Sequence, residues 1–404
     1  MILAINYADE TFKLAQKYNT KTAYEIGKVD KVIEYGPENI DKKYREENFY
    51  AFVQNDKLVG NYGLWRPHIV KDAYEQLDAG DFLIYSDSGV SYIDNVISLI
   101  NVMKRDKLDI MVFEDTRLEK TYTKRDIFLY LEMDIAECTN THQRESGCFI
   151  IQKSELGELF VNEFYRLSLE APFLFTDEDN RMGEKNYDSF IENRHNQSVF
   201  SVLSKKMRIP AYRDPTQWGM YRKIITEKYG KYDDVLERST YPRTFLSHRN
   251  GKITEENAKE LEVQYLNVCN KKQGWIMLLG NIQNYYRHNE KEILEIFGEG
   301  ISNNSNICVY GAGSMGRDIY RVLSEKKLAK ELLWVDTNYS SYLRLKGRLF
   351  SPLYLIKKID KIDYIIIAVV KKEVATEIQD YLVENGINKN KIVWFNEEFV
   401  NKEF

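Results

Sequence analysis

The segment GDFLIYSDSGV, residues 80–90, runs from an apolar stretch straight into Asp87, Ser88 and Gly89. The apolar part, residues 82–85, predicts a buried strand. An acid, a hydroxyl and a glycine at the end of that strand fit an ordinary turn. They also fit a carboxylate held out towards a ligand, because ligands of open α/β sheets bind outside the carboxyl ends of the strands.

The sequence around this segment alternates between strand and helix patterns. Residues 2–7 (ILAINY) and 108–115 (LDIMVFED) predict further strands, and the second of these ends in acids. Residues 66–78 (RPHIVKDAYEQLD) and 91–103 (SYIDNVISLINVM) have helical spacing. This alternation predicts a mostly parallel, doubly wound α/β sheet, with Asp87 at its carboxyl edge.

The composition narrows the class of protein. The chain has 404 residues, 43% apolar and 29% charged, with a net charge of −5, which predicts a globular protein of two or three domains that does not bind nucleic acid. Its four cysteines form no CxxC pair, so we expect neither a disulfide framework nor a zinc site, and a reduced, cytoplasmic setting. We expect no signal peptide and no membrane span, so that any membrane association is peripheral.

Three parts are predicted along the chain. Residues 1–250 form the first α/β domain, and residues 251–303 form a helical connector. A small, polar linker, GEGISNNSN, precedes a second and smaller α/β domain at residues 304–404.

The second domain carries a dinucleotide-binding fingerprint. Gly311, Gly313 and Gly316 lie after a predicted strand and open a predicted helix, and Asp336 follows Gly316 by twenty residues. In that pattern Gly313 lets the backbone approach a phosphate and Asp336 binds a ribose. The domain resembles the small Rossmann-like modules appended to bacterial sugar and methyl transferases. It either binds NAD or another nucleotide, or serves as a docking or oligomerisation module.

The first domain resembles a known family across residues 1–250. Three downstream segments, residues 122–128 (YTKRDIF), 141–154 (THQRESGCFIIQKS) and 193–203 (NRHNQSVFSVL), follow the opening segment in a fixed order. Together they resemble bacterial glycosyltransferases of the GT-A fold that build capsular polysaccharide and lipopolysaccharide. The opening part of the resemblance consists of Gly63, Trp65, Arg66, Pro67, Gly80, Asp81, Tyr85, Asp87, Ser88 and Gly89.

The resemblance implies a fold, substrates and a cofactor. The fold is a doubly wound mixed sheet, the donor is a nucleotide sugar, and the acceptor is a glycan or lipid-linked glycan at the inner face of the membrane. Mn²⁺ or Mg²⁺ would stabilise the departing diphosphate as a Lewis acid, with Asp87 and His248 as its protein ligands. The chain departs from the common Asp-x-Asp form, because Gly89 takes the place of the second acid. His248 has a purely structural alternative.

The resemblance also assigns roles to other side chains. Asn196 lies where relatives often carry an acid, so a general base would come from Glu145 or from the polar loop that contains Asp177, Glu178 and Asp179. An Asn-Gln pair suits retaining transfer, but the stereochemistry stays open. The residues assigned to catalysis are Asp87, Glu145, Asn196 and Gln197, and those assigned to donor binding are Arg66, Ser88, Gly89, Lys124, Arg125, Gln143, His195 and Arg249.

Two other functions remain open from the sequence. The chain could be an NAD(P)-dependent sugar oxidoreductase that uses the second domain, or a non-catalytic assembly protein. Surface ion pairs are the alternative for Arg66, and a solvated charge run is the alternative for Lys124 and Arg125.

Overall fold

The computed structural model of this chain describes most of two compact units, Met1–Cys269 and Asn270–Phe404. Most of the predicted helical connector, residues 251–303, lies outside the described residues. The described residues are 1–48, 53–54, 57–58, 62–219, 235, 238–261, 263, 301–325, 327–342, 345, 347–369 and 372–394.

The first unit is built on a six-stranded mixed sheet with the strand order β2-β1-β5-β8-β7-β9. β8 is antiparallel to both of its neighbours, and the other neighbouring strands are parallel. Two antiparallel pairs, β3 with β4 and β6 with β10, lie outside this sheet. The strands are β1 (Ile2–Tyr7), β2 (Lys31–Tyr35), β3 (Val53–Gln54), β4 (Lys57–Leu58), β5 (Phe82–Ser86), β6 (Val90–Tyr92), β7 (Ile110–Leu118), β8 (His142–Gln152), β9 (Ala211–Arg213) and β10 (Phe245–Ser247).

Some helices and turns of this unit begin at a side-chain cap. The Asp9 carboxylate accepts from the Thr11 and Phe12 amides before the first helix, and Ser154 caps a later one through the Gly157 amide. Short 3-10 turns span Glu10–Phe12, Pro37–Asn39 and Pro172–Phe175, and a π-helical turn, Ala23–Gly27, continues the first helix. The helices are α1 (Lys13–Thr22), α2 (Lys42–Glu47), α3 (Trp65–Glu75), α4 (Ile97–Asp106), α5 (Glu119–Tyr122), α6 (Arg125–Tyr130), α7 (Ala136–Thr139), α8 (Glu155–Glu170) and α9 (Asn196–Lys206).

Apolar side chains cover both faces of the sheet. Along β5, Leu83 and Tyr85 belong to the core that includes α3, α8 and α9, whereas Phe82 and Ile84 belong to the core that includes α4. A strand buried on both faces has no polar face, which explains the unbroken apolar run before Asp87. The predicted α/β class with a mixed central sheet is therefore confirmed.

Two predicted elements differ from the structure. Ser91 and Tyr92 were predicted to open a helix, but they lie in β6, where they pair with Leu246 and Phe245. That pairing joins distant parts of the chain and outweighs the local helical spacing. The strand that was predicted to end at the acids of residues 114–115 continues to Leu118 as β7.

The second unit contains a four-stranded parallel sheet with the order β12-β11-β13-β14. Its first strand ends at Tyr310, and a helix begins at Ser314 after the glycine-rich loop, as the fingerprint predicts. The strands are β11 (Asn306–Tyr310), β12 (Glu331–Val335), β13 (Tyr364–Ile367) and β14 (Ile392–Trp394), and the helices are α10 (Ser314–Glu325), α11 (Pro352–Ile356) and α12 (Lys372–Glu384). No helix in the described parts of the two units is long and apolar enough to cross a membrane.

Candidate active site

Asp87 lies directly after β5 and its side chain is 47% exposed. Its Oδ1 accepts hydrogen bonds from Arg66 Nη2 and from Tyr85 Oη, each at 2.6 Å. Its backbone amide donates to the Gly147 carbonyl of β8 at 2.8 Å. The carboxylate is thus fixed at a sheet edge that solvent can reach.

Arg66, in the first turn of α3, connects Asp87 to α9. Its Nη1 donates to Ser146 Oγ at 2.6 Å and also to Asn196 Oδ1. The guanidinium lies 4.9 Å from the Trp65 ring centroid and 4.7 Å from that of Tyr85. Burial acts to lower the pKa of Arg66, but the attraction of Tyr85 and Asp87 outweighs it and the pKa is raised, so the group stays charged.

Two glycines leave room for this arrangement. Gly63 has a φ of +65°, and a Cβ on it would lie 1.8 Å from Asn196 Nδ2. A Cβ on Gly147 would lie 3.0 Å from Asp87 Oδ2. Side chains at either position would displace the groups around the carboxylate.

The turn after Asp87 is held by remote parts of the chain. Ser88 is buried, and its hydroxyl donates to the Tyr7 carbonyl at 2.6 Å, so this hydroxyl is engaged within the fold. The Gly89 carbonyl accepts from the Arg249 amide at 2.8 Å. A Cβ on Gly89 would lie 2.9 Å from Arg249 Cα. The structure therefore brings the predicted Arg249 against the Asp87 turn.

The buried side-chain amide of Asn19, which was missed in the sequence, holds both ends of the same turn. The Asn19 side chain donates to Ser86 Oγ at 3.0 Å and to the Val90 carbonyl at 2.7 Å, and it accepts from Asn6 Nδ2 at 2.7 Å. No local pattern marks Asn19, because its partners lie in other elements.

The predicted RHNQ segment, residues 194–197, lies at the start of α9 beside this site. His195 has a φ of 56°, which costs energy for a residue with a side chain, and its Nε2 lies 2.9 Å from Asp177 Oδ1. Gln197 Nε2 donates to Gln143 Oε1 at 3.0 Å and to Asp115 Oδ2 at 3.3 Å. Thus Gln143, His195, Asn196 and Gln197, which the sequence grouped as site residues, cluster at one edge of the sheet.

Three acids on neighbouring strands share this edge. Burial, together with the charges of Asp214 and Asp115, raises the pKa of Glu145 well above its usual range, although Arg249 opposes the shift. Burial likewise raises the pKa of Asp214 to about 6, against hydrogen bonds from Thr216. A carboxyl with a raised pKa holds its proton to a higher pH and is also a stronger base, so Glu145 is suited to proton transfer and its predicted role as the base stays a prediction.

Guanidinium groups surround these acids. The charge of Arg117, followed by burial, lowers the pKa of Arg194 to about 10, and Arg249 adds to the effect. Arg117 also forms an ion pair with Asp115. Arg117 was missed in the sequence, and Arg194 was part of the predicted RHNQ segment but was given no role. Their proximity joins distant parts of the chain, so no local pattern marks it.

Lys124 and Arg125 form no described contact with the group around Asp87. The buried Lys124 Nζ lies 3.7 Å from Asp126 and donates to the Phe173 and Asp179 carbonyls. Arg125 pairs with Asp134 and Glu184 at 3.0 and 3.1 Å. Lys124 is buried, so the alternative of a solvated charge run does not describe it, and Arg125 is engaged in ion pairs. A role of either residue in donor binding stays a prediction.

The ligand set for the predicted Mn²⁺ or Mg²⁺ is incomplete. Arg66 and Tyr85 donate hydrogen bonds to Oδ1 of Asp87. Gly89 stands where the Asp-x-Asp form has its second acid. His248 is buried, its Nδ1 accepts from the Asn250 amide at 3.1 Å, and burial lowers its pKa to about 4. Across the described residues, no group of three or more His, Cys, Asp or Glu side chains is placed to hold a metal ion. These residues do not fit the predicted divalent-ion site.

Comparison with known proteins gave structural similarities at low identity. No protein-family description matches the chain, and no curated protein matches it. Mouse xyloside xylosyltransferase 1 in its apo form is 9% identical, with 61% of this chain and 96% of that chain covered and a TM-score of 0.33. The apo-form glycosyltransferase GlyE of Streptococcus pneumoniae TIGR4 is 10% identical, with 95% of this chain and 89% of that chain covered and a TM-score of 0.31.

A third similar structure is the galactosyltransferase LgtC in complex with donor and acceptor sugar analogs. It is 12% identical, with 65% of this chain and 95% of that chain covered and a TM-score of 0.37. All three TM-scores lie below 0.5.

The glycine-rich loop of the second unit contains a glycine with a positive φ and a close approach of its backbone. Gly311 has a φ of +120°, and a Cβ on Gly316 would lie 1.9 Å from the Gly311 carbonyl oxygen, whereas a Cβ on Gly313 would meet nothing within 4 Å. Asp336, the predicted ribose ligand, accepts a hydrogen bond from the Ala312 amide at 2.7 Å. Its carboxylate is thus bonded to the loop itself, and nucleotide binding by this unit stays a prediction.

Proposed function

We propose that the first unit is a glycosyltransferase that moves a sugar from a nucleotide-sugar donor to a glycan acceptor. The observation that carries this proposal is the position of Asp87. Its exposed carboxylate lies at the carboxyl end of β5 and is joined through Arg66 to Asn196 on α9. This is the edge of an α/β sheet where ligands bind.

Charge is the main requirement of this chemistry. When the glycosidic bond to the nucleotide breaks, negative charge develops on the diphosphate, and fixed positive groups lower the free energy of that state. Arg249 lies on the Asp87 turn, and Arg117 and Arg194 lie near Glu145 and Asp115. We assign the diphosphate to the Arg249 side of the site and the transferred sugar to Asp87, Asn196 and Gln197.

The acceptor follows from the sequence resemblance. We propose a capsular or lipopolysaccharide glycan, free or lipid-linked, with transfer taking place in the cytoplasm or at the inner face of the membrane. A protonated Glu145 would donate a hydrogen bond to a hydroxyl or phosphate oxygen of a substrate.

The test is release of nucleoside diphosphate from a panel of UDP-, GDP-, ADP-, CDP- and dTDP-sugars, measured with and without Mn²⁺. We expect one donor to be turned over by the wild-type chain. Asp87→Asn should slow that turnover at least tenfold, since about 1.4 kcal/mol of lost stabilisation is enough for this effect.

Asp78→Asn is the matched control. Asp78 is exposed and precedes β5, so it lies at the opposite end of the strand from Asp87. Circular dichroism of both variants establishes that they fold. Equal turnover by wild type and Asp87→Asn, or no turnover and no calorimetric binding of any nucleotide sugar, would contradict the proposal.

A further inference from the structure

A buried guanidinium contacts the carboxylate that was predicted to bind a divalent ion. We propose that the first unit binds the diphosphate of its donor without a divalent metal, an inference that rests on the proposed function. Arg66 neutralises Asp87, and Arg249 supplies the charge that faces the phosphates. The inference names how this site recognises its donor, and it departs from the sequence expectation of Mn²⁺ or Mg²⁺.

The first step of the argument concerns the carboxylate. Arg66 Nη2 lies 2.6 Å from Asp87 Oδ1, and the Arg66 side chain is only 8% exposed. Ser146 Oγ and Asn196 Oδ1 hold the other end of the guanidinium. A charged group so enclosed cannot swing away without losing its hydrogen bonds to Asn196 and Ser146. A divalent ion at Asp87 would therefore lie beside a fixed positive charge that repels it.

The second step concerns the missing second acid. In the Asp-x-Asp pattern this position would supply a further ligand, but here it is Gly89. The space next to it is filled by the Arg249 backbone, with Cα 2.9 Å from where a Gly89 Cβ would stand. A carboxylate therefore cannot be accommodated at position 89 without moving the end of β10. The backbone at Arg249 thus leaves no room for a second acidic ligand at position 89.

The third step concerns Arg249 itself. Arg249 is exposed. Among the residues that the structure describes, its guanidinium has no ion-pair or hydrogen-bond partner. Its backbone is fixed to Gly89 by a 2.8 Å hydrogen bond, so the side chain starts from the Asp87 turn. A guanidinium presents a planar pair of N–H groups that matches two phosphate oxygens. Arg249 thus has the position, the charge and the freedom to bind a diphosphate.

The test is isothermal titration calorimetry of the full chain with UDP, GDP, CDP, ADP and dTDP, each in EDTA and in Mn²⁺. For the nucleotide that binds, we expect the Kd in EDTA to lie within about threefold of the Kd in Mn²⁺, a difference below 1 kcal/mol. Arg249→Gln should raise the Kd at least tenfold in both buffers. Mn²⁺ alone should give no binding heat.

Arg243→Gln is the matched control, because Arg243 precedes β10 and Arg249 follows it. Its Kd should equal that of wild type. Binding that requires Mn²⁺ would overturn this inference and leave the proposed transferase function intact. Arg249→Gln with an unchanged Kd would overturn the role of Arg249. No binding of any nucleoside diphosphate in either buffer would overturn both the inference and the proposed function.

Discussion

Asp87 and Asp214 each follow a strand of the same sheet, but their surroundings differ. Asp87 is half exposed and faces a guanidinium at 2.6 Å. Asp214 is buried, and its carboxylate accepts from the Thr216 amide and hydroxyl at 2.7 and 2.9 Å. Burial, together with Asp115, makes the charged form of Asp214 costly and raises its pKa to about 6. Asp87 is therefore a half-exposed partner in an ion pair, whereas burial shifts the pKa of Asp214.

This difference predicts a pH dependence of stability. In the unfolded chain an Asp loses its proton near pH 4, whereas folded Asp214 keeps it until about pH 6. Between these values the folded state binds the additional proton, so the contribution of Asp214 to the free energy of unfolding is full below about pH 4 and is lost as the pH rises to about 6. Asp214→Asn should remove this contribution, which is at most roughly 3 kcal/mol.

Urea unfolding at pH 4.5, 5.5 and 7 checks the prediction. The free energy of unfolding of Asp214→Asn relative to wild type should increase as the pH rises. Asp188→Asn, at an exposed position, is the control and should follow wild type. A difference between Asp214→Asn and wild type that is constant across pH would contradict the assignment.

At the scale of elements, the turn between β5 and β6 is the point where three remote parts of the fold meet. Asn19 of α1 bonds to Ser86 and Val90 on either side of it, and the Tyr7 carbonyl at the end of β1 accepts from Ser88. The end of β10 closes it through the amide of Arg249. The position of Asp87 therefore depends on several elements at once.

Gly89→Ala tests this close approach. The added Cβ would lie 2.9 Å from Arg249 Cα, so the end of β10 must move, and overpacking of this kind costs about 1–3 kcal/mol. We expect a lower midpoint in urea unfolding and weaker binding of the nucleoside diphosphate.

Gly313→Ala is the matched control for that variant. A Cβ on Gly313 meets nothing within 4 Å, so its effect on stability should stay within about 0.5 kcal/mol. If Gly89→Ala were as stable as wild type and bound nucleotide equally well, the contact with Arg249 would not position the turn.

At the scale of the whole molecule, the first and the second unit each have their own apolar core. The first unit has cores on both faces of its mixed sheet, and the second packs Tyr310, Val335 and Ile367 into a separate cluster. Units with independent cores can unfold in separate steps. A ligand that binds one unit then stabilises that unit alone.

Differential scanning calorimetry with a bound nucleoside diphosphate checks this expectation. At one hundred times its Kd the ligand should stabilise the first unit by about 2.7 kcal/mol, which raises one transition by roughly 5–10 °C and leaves the other unchanged. Arg249→Gln should reduce the shift. A shift of the other transition with NAD(H) would instead favour the oxidoreductase hypothesis.

Much of the fold could be predicted because its signals are local. The apolar run before Asp87 predicted β5, which the structure confirms, and the structure shows Asp9 and Ser154 capping the turns that follow them. A cap and its helix lie within one turn of each other, so the sequence alone contains both partners. The helical spacing of residues 91–103 failed at Ser91 and Tyr92, because β6 exists only through its pairing with β10.

By itself the sequence determined the alternating elements and the side chains near the candidate site, including Asp87, Asn196 and Arg249. Only the tertiary structure decided how these groups pair. Arg66 and Asp87 meet because α3 packs against the end of β5, and Arg249 reaches the same turn because β10 pairs with β6. Such contacts depend on which remote elements become neighbours, and hydrophobic packing and strand pairing settle this after the local elements are specified.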